Sequence, residues 1–230
     1  MLLGDLIFAT AIQKLVERSR KDGASITQAI ASLAKGVYQE PLNSSTLTHA
    51  ISKETYRPEL YNHIIRLKTG ARFGTASKLG AVAAQVSREM LLHAFEFGAR
   101  LGEAYQLVDD LHEVMQLDEQ AKDMPTKMAR LAPVLLYFCP ERNSQLLGLL
   151  GAAEKGDRKW IAHALTDLKF RMTQEIHVRL DLAIKEIKDF PANPYTRLLR
   201  AAPLEVVRMQ EHGLPTTPDH VRAKPVSSRL

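Results

Sequence analysis

FEFGARLGEAYQLVDDLHE occupies residues 95–113 and lies inside a longer helical pattern. At about 100° per residue, Ala94, Phe97, Leu101, Ala104, Val108, Leu111 and Met115 share one apolar face, spaced alternately three and four apart. That period is a helix's and not a strand's. Gly102, Gln106, Asp109 and Glu113 form a second, narrow face, with Asp110 beside it. Three carboxylates therefore gather at one end of the helix. Like charges this close repel unless something compensates them. Mg²⁺ is such a compensator, since it takes oxygen ligands and bridges one or two carboxylates to phosphates. The plainer alternative is a solvated acidic face. Gly98 and Gly102, one turn apart, leave room for a ligand or for a neighbouring helix.

A second segment, YNHIIRLKTGARF at residues 61–73, puts Tyr61, Ile65, Lys68 and Arg72 on one face of the same wheel. Lys68 thus stands among apolar positions, where a cation is disfavoured. Either an anion such as a diphosphate meets it there, or its stem packs while its amine reaches water. Thr69 could bond back to its own helix.

The rest of the chain reads the same way. Helices are expected near 2–20, 26–40, 43–52, 57–75, 79–116, 125–138, 142–153, 157–189 and 194–211. Asp22-Gly23 is read as the first break and Ser25 as the cap of the second helix. No alternating β-branched run and no hairpin dipeptide occurs. The fold class is all-α, a helical bundle with short connections. Residues 1–211 are read as one helical domain. Residues 212–230, with Pro215, Pro218 and Pro225 among small polar residues, are read as a disordered tail.

Composition narrows the function. Charged residues make up 25% of the 230 and hydrophobic ones 45%, ordinary globular usage that argues against a disordered chain. A net charge of +5, spread along the chain, does not call for a nucleic-acid partner and suits an enzyme of anionic substrates. Cys139 is the only cysteine, which excludes a disulfide framework and a CxxC pair. A cytoplasmic location is the expectation. No apolar run reaches the ~18 residues of a membrane span. The histidines lack the HExxH spacing of a zinc helix, and no Walker A or GxSxG string occurs.

Taken together and in order, these segments resemble the trans-isoprenyl diphosphate synthases, or polyprenyl synthetases. LLGDLIFATA (2–11) resembles the helix after that family's first aspartate-rich motif, and GVYQE (36–40) its Gly…Gln/Glu segment. YNHIIRLKTGARF resembles its Tyr…Lys-Thr-Ala helix. FGARLGEAYQLVDDLHE (97–113) resembles FGxxLGxAFQxxDDxxD, and FPANPYTRLLRAAPLEVVRM (190–209) the terminal helix. The resemblance covers roughly residues 2–210 and implies an isoprenoid-synthase-type helical bundle.

The resemblance also implies a reaction. An allylic diphosphate ionises, its carbocation alkylates the double bond of isopentenyl diphosphate, and a proton leaves. Carried over position by position, it makes Asp109, Asp110 and Glu113 ligands of Mg²⁺. It makes Lys68 a contact of the allylic diphosphate, with Lys127 a second. It puts Thr69 and Gln106 beside the carbocation. Glu113 stands where the family has Asp, KTG replaces KTA, and DEQAKD (118–123) replaces a glycine-lysine loop. The family's first DDxxD has no counterpart, so an N-terminal segment or a second polypeptide is expected to supply it. The expected assembly is a homodimer, or a heterodimer with a complete synthase subunit. The alternative reading is an inactive regulatory partner of such a synthase. No nucleic-acid partner is expected.

Overall fold

The computed structural model describes residues 2–39, 59–117, 133–138 and 158–212. The expected helices over 43–52 and 142–153, most of 125–138, and the tail beyond residue 212 lie outside the described residues.

The chain opens with α1 (Leu2–Arg18) and α2 (Arg20–Gln39). The break between them falls at Ser19 and not at Asp22-Gly23. The Ser19 hydroxyl accepts a hydrogen bond from the Asp22 N–H at 3.2 Å, which caps α2 six residues before the expected Ser25. Ser25 instead donates to the Lys21 carbonyl at 3.2 Å. Gly23 is inside α2, where a Cβ would stand 2.6 Å from Val16 Cγ2. Its role is close packing of the two helices, not a turn.

Next come α3 (Leu60–Ile65), a π turn (Arg66–Gly70) and α4 (Ala71–Ala83) in one unbroken rod. The turn expected near 76–78 does not occur. The rod ends later, where Gln85 takes a left-handed conformation at φ 56°. Ser87 then accepts from the Met90 N–H at 3.3 Å and starts α5 (Arg88–Leu117). A left-handed residue followed by a capping serine stops a helix firmly, and neither occurs at 76–78. The last helices are α6 (Arg158–Glu186) and α7 (Pro194–His212). Pro194 opens α7, a position that needs no N–H. The Asn193 side chain accepts from the Thr196 N–H at 2.9 Å, capping the same end.

The long helix α5 runs through the core. Phe97, Ala104, Val108 and Leu111 of its expected apolar face are buried, whereas Met115 is exposed. Leu107 and Val114, off that face, are buried as well. The reason is that α5 is covered on two sides. The α3–α4 rod lies on one, and Leu165, Leu168, Met172 and Ile176 of α6 share its core on the other. A helix sandwiched in this way buries more than one stripe. Tyr61, Tyr137 and Phe138 close the end near the acids, with the Tyr61 and Tyr137 rings 5.4 Å apart.

The α4–α5 crossing is made by backbone. A Cβ on Gly74 would lie 2.8 Å from the Phe95 carbonyl, and one on Gly102 would lie 2.9 Å from the Thr69 carbonyl. The space above Gly98 and Gly102 is thus taken by a helix, not by a ligand. Gly36 does the same for α2, which presses on Leu67 and the Lys68 N–H. Among the described residues no helix is long and apolar enough to cross a membrane.

Candidate active site

A cavity of about 730 Å³ lies where the π turn and the start of α4 face α5. Lys68, Thr69, Arg72 and Phe73 line one wall, with Tyr105, Gln106 and Asp109 opposite. Residues 41 positions apart in sequence, Lys68 and Asp109, therefore meet at one site. The π turn is the local cause. It holds one residue more than an α turn, and such turns recur at functional sites. Gly70 at its end lets α5 approach, since a Cβ there would stand 3.2 Å from the Ala99 carbonyl.

The polar side chains form a continuous row. The Thr69 hydroxyl donates to Oε1 of Gln106 at 2.6 Å, so it bonds across to α5 and not back to its own helix. Gln106 Nε2 donates to Asp110 Oδ1 at 3.0 Å, with Asp109 Oδ2 at 3.5 Å. The Tyr61 hydroxyl donates to the other Asp110 oxygen at 2.6 Å. Each donor fixes the next acceptor. Because the Gln106 amide nitrogen faces carboxylates, its carbonyl must face Thr69.

Burial pushes the Asp110 carboxyl up to about 6. The hydrogen bonds from Tyr61 and Gln106 oppose that shift, and the nearby charges of Glu113 and Asp109 add to it. Burial first, then Asp110, also raises the Tyr61 hydroxyl well above its ordinary value. Three carboxylates, Asp109, Asp110 and Glu113, thus gather within about one turn of α5. Their oxygen donors suit a hard divalent cation. Asp109 faces the cavity, while both oxygens of Asp110 are engaged by neighbours. Among the described residues no three His, Cys, Asp or Glu side chains already stand together as a ligand group. Mg²⁺ needs no such cage, since it keeps several waters and takes one or two carboxylates.

Glu113 is half-buried one turn beyond Asp109. Lys127 lies outside the described residues. His112 has both ring nitrogens buried and without a hydrogen-bond partner among the described residues.

Two features escaped the sequence. Arg72 and the aromatic pair Phe73–Tyr105, with ring centres 5.5 Å apart, line the cavity. Arg72 was visible one turn after Lys68, yet nothing marked it as facing the acids. The other feature is Glu103, which is 1% exposed and surrounded by arginines. Arg66 reaches it at 3.0 Å and Arg100 at 3.2 Å, and Arg179 of α6 also pairs with it. Arg66 is held in addition by Glu96 at 2.6 Å, and Arg179 by Glu175 at 2.7 Å. Arg179 further donates to Asn62 Oδ1 at 2.7 Å. Every buried charge here has a partner, as burial requires.

Comparison with known proteins gives this geometry a context. A model of the family described as polyprenyl synthetase matches residues 1–145. A geranylfarnesyl diphosphate synthase of Aeropyrum pernix is 32% identical over 116 residues, 48% of this chain and 36% of that protein. A prenyl transferase of Cyanidium caldarium is 26% identical over 204 residues, 83% of this chain and 59% of that protein. The matched part of the chain therefore spans less than two thirds of the length of either relative. A solved polyprenyl synthase from Roseobacter denitrificans superposes with a TM-score of 0.68 at 25% identity, covering 90% of this chain and 70% of that one. The helical bundle expected from the sequence is the fold these structures share.

Proposed function

This chain belongs to the polyprenyl synthetase family, and from that we propose that it serves in isoprenyl diphosphate synthesis as a prenyltransferase. The reaction joins an allylic diphosphate to isopentenyl diphosphate. The C–O bond to the allylic diphosphate breaks, and the pair of electrons leaves with the diphosphate. The allylic carbon then bonds to the double bond of isopentenyl diphosphate, and a proton departs.

One observation carries this reading. The row Thr69–Gln106–Asp110–Tyr61 ends in a cavity that also presents Lys68 and Asp109. Lys68 and Arg72 offer cations to the departing diphosphate, a charge-stabilising role. The Gln106 carbonyl and Thr69 hydroxyl present dipoles where positive charge develops on carbon. Phe73 and Tyr105 give that part of the cavity an apolar wall that limits water. Asp109, with Asp110 and Glu113 beside it, would hold Mg²⁺. When bound, that ion supplies charge neutralisation and Lewis acidity at the diphosphate. Lys127 is assigned a second diphosphate contact by resemblance alone.

The unit is residues 1–211 with a tail from 212, working in the cytoplasm as a homodimer or beside a complete synthase subunit. No nucleic-acid partner is involved.

The test is calorimetric titration with a non-hydrolysable allylic diphosphate, with and without Mg²⁺. The native chain is compared with the double variant Asp109→Ala/Asp110→Ala. Binding that requires Mg²⁺ and disappears in the variant supports the reading. No binding by the native chain, or equal binding by both, overturns it.

A further inference from the structure

Glu103 does not line the cavity, yet it touches both ends of the π turn. Its Oε1 accepts from Arg66 at 3.0 Å, and Arg66 is the first residue of that turn. Its Cγ lies 3.3 Å from where a Cβ on Gly70 would stand, and Gly70 is the last. Lys68 and Thr69 sit between the bonded Arg66 and the closely packed Gly70. Arg179, which also pairs with Glu103, donates to Asn62 in the helix that leads into the turn. One buried carboxylate thus ties the turn to α5 and α6 at once.

A π turn needs such ties. It is rare, and the regular α turn is its ready alternative. Relaxing to an α turn would rotate the following residues by about 100°. Thr69 would then lose Gln106, and Lys68 its place on the cavity wall. We propose that Glu103, acting through Arg66, is a positioning residue that holds the π turn and so sets Lys68 and Thr69 toward an anionic diphosphate. This rests on the prenyl-transfer reading for the identity of the anion, but not for the behaviour of the turn.

Arg66 and Arg100 separate positioning from general stabilisation. Both pair with Glu103, and only Arg66 belongs to the turn. The experiment uses hydrogen exchange on the full chain. Arg66→Met is expected to speed exchange of the amides of residues 68–73 by about tenfold. Arg100→Met is expected to leave them unchanged. Pyrophosphate with Mg²⁺ is then titrated by calorimetry. Its affinity is expected to fall about tenfold in Arg66→Met, the loss of one charge-assisted contact's worth of order, and to stay unchanged in Arg100→Met.

Equal effects in the two variants overturn the proposal. So does unchanged exchange in Arg66→Met, or raised exchange with undiminished affinity. If the native chain binds no pyrophosphate, the prenyl-transfer reading falls, while the exchange contrast still decides whether the network holds the turn. Should Arg66→Met fail to fold, Arg66→Lys replaces it. Lysine keeps the charge but cannot fork between Glu96 and Glu103. A rise in exchange of about threefold is expected there, and no rise overturns the proposal.

Discussion

The Tyr61 hydroxyl donates a 2.6 Å hydrogen bond to Asp110 Oδ2, joining residues 49 positions apart. The Tyr61 ring is buried, so its hydroxyl has no water to fall back on. Asp110 gains a donor from outside its own helix. This bond holds the carboxylate whose other oxygen accepts from Gln106 Nε2, the side chain that in turn accepts from Thr69 on the cavity wall.

Tyr61→Phe removes that donor and little else. The Asp110 carboxyl is expected to titrate above its native value of about 6, because the lost bond favoured the charged form. Stability at pH 8 is expected to fall by about 1–2 kcal/mol. Carbon-13 NMR of the carboxyl and urea unfolding read the two effects. An unmoved titration would mean that Tyr61 does not govern Asp110.

A raised carboxyl makes stability depend on pH. The Asp110 carboxyl sits at about 6 against an ordinary 3.8, so in that window the folded chain keeps a proton that the unfolded chain has lost. The associated stabilisation is complete below pH 3.8 and is lost as pH rises through about 6. Asp110→Asn is always neutral and should gain on the native chain by about 2–2.5 kcal/mol between pH 4 and pH 7. Urea midpoints for both proteins, in chelator and without divalent ions, give the difference. A difference that stays constant across the range would refute the assignment.

Glu103→Gln leaves three arginines facing an amide. Breaking a buried pair from one side is expensive, and a loss of about 3 kcal/mol is expected. Glu205→Gln gives the contrast. Its pair with Arg208 is 64% and 65% exposed, and its loss should change stability by less than about 0.5 kcal/mol. Denaturant unfolding of the two variants side by side checks the ratio, and comparable losses would contradict it.

Two glycine substitutions should act in opposite directions. Ala at Gly102 places a methyl 2.9 Å from Phe73 Cβ and from the Thr69 carbonyl, and is expected to destabilise by about 1–3 kcal/mol. Ala at Gly80, inside α4 with nothing within 4 Å, is expected to stabilise by about 0.5–1 kcal/mol. Thermal melts decide both. A neutral Gly102→Ala would mean that the crossing can open without penalty.

Much of the site could be read from spacing, because Gln106 and Asp109 lie on one helix at fixed phase. Lys68 and Thr69 could be read only as a pair, since a wheel at constant pitch contains no π turn. The break at 84–87 depends on Gln85 entering a left-handed conformation, which glutamine does not announce. Glu103 was least legible. A glutamate between Gly102 and Ala104 looks like any solvated helix residue. Its partners Arg66 and Arg179 stand 37 and 76 positions away, and only the packing of three helices brings them together.

Where α4 crosses α5, main chain touches main chain at Gly74, Gly98 and Gly102, and a contact of that kind has no rotamers to adjust. The wall bearing Thr69 and the wall bearing Gln106 are therefore spaced by peptide geometry, as a gauge block spaces two jaws. Evolution or a designer can lengthen this cavity, floor it or recharge it by exchanging side chains. Its width beside the reacting groups is not open to the same tinkering.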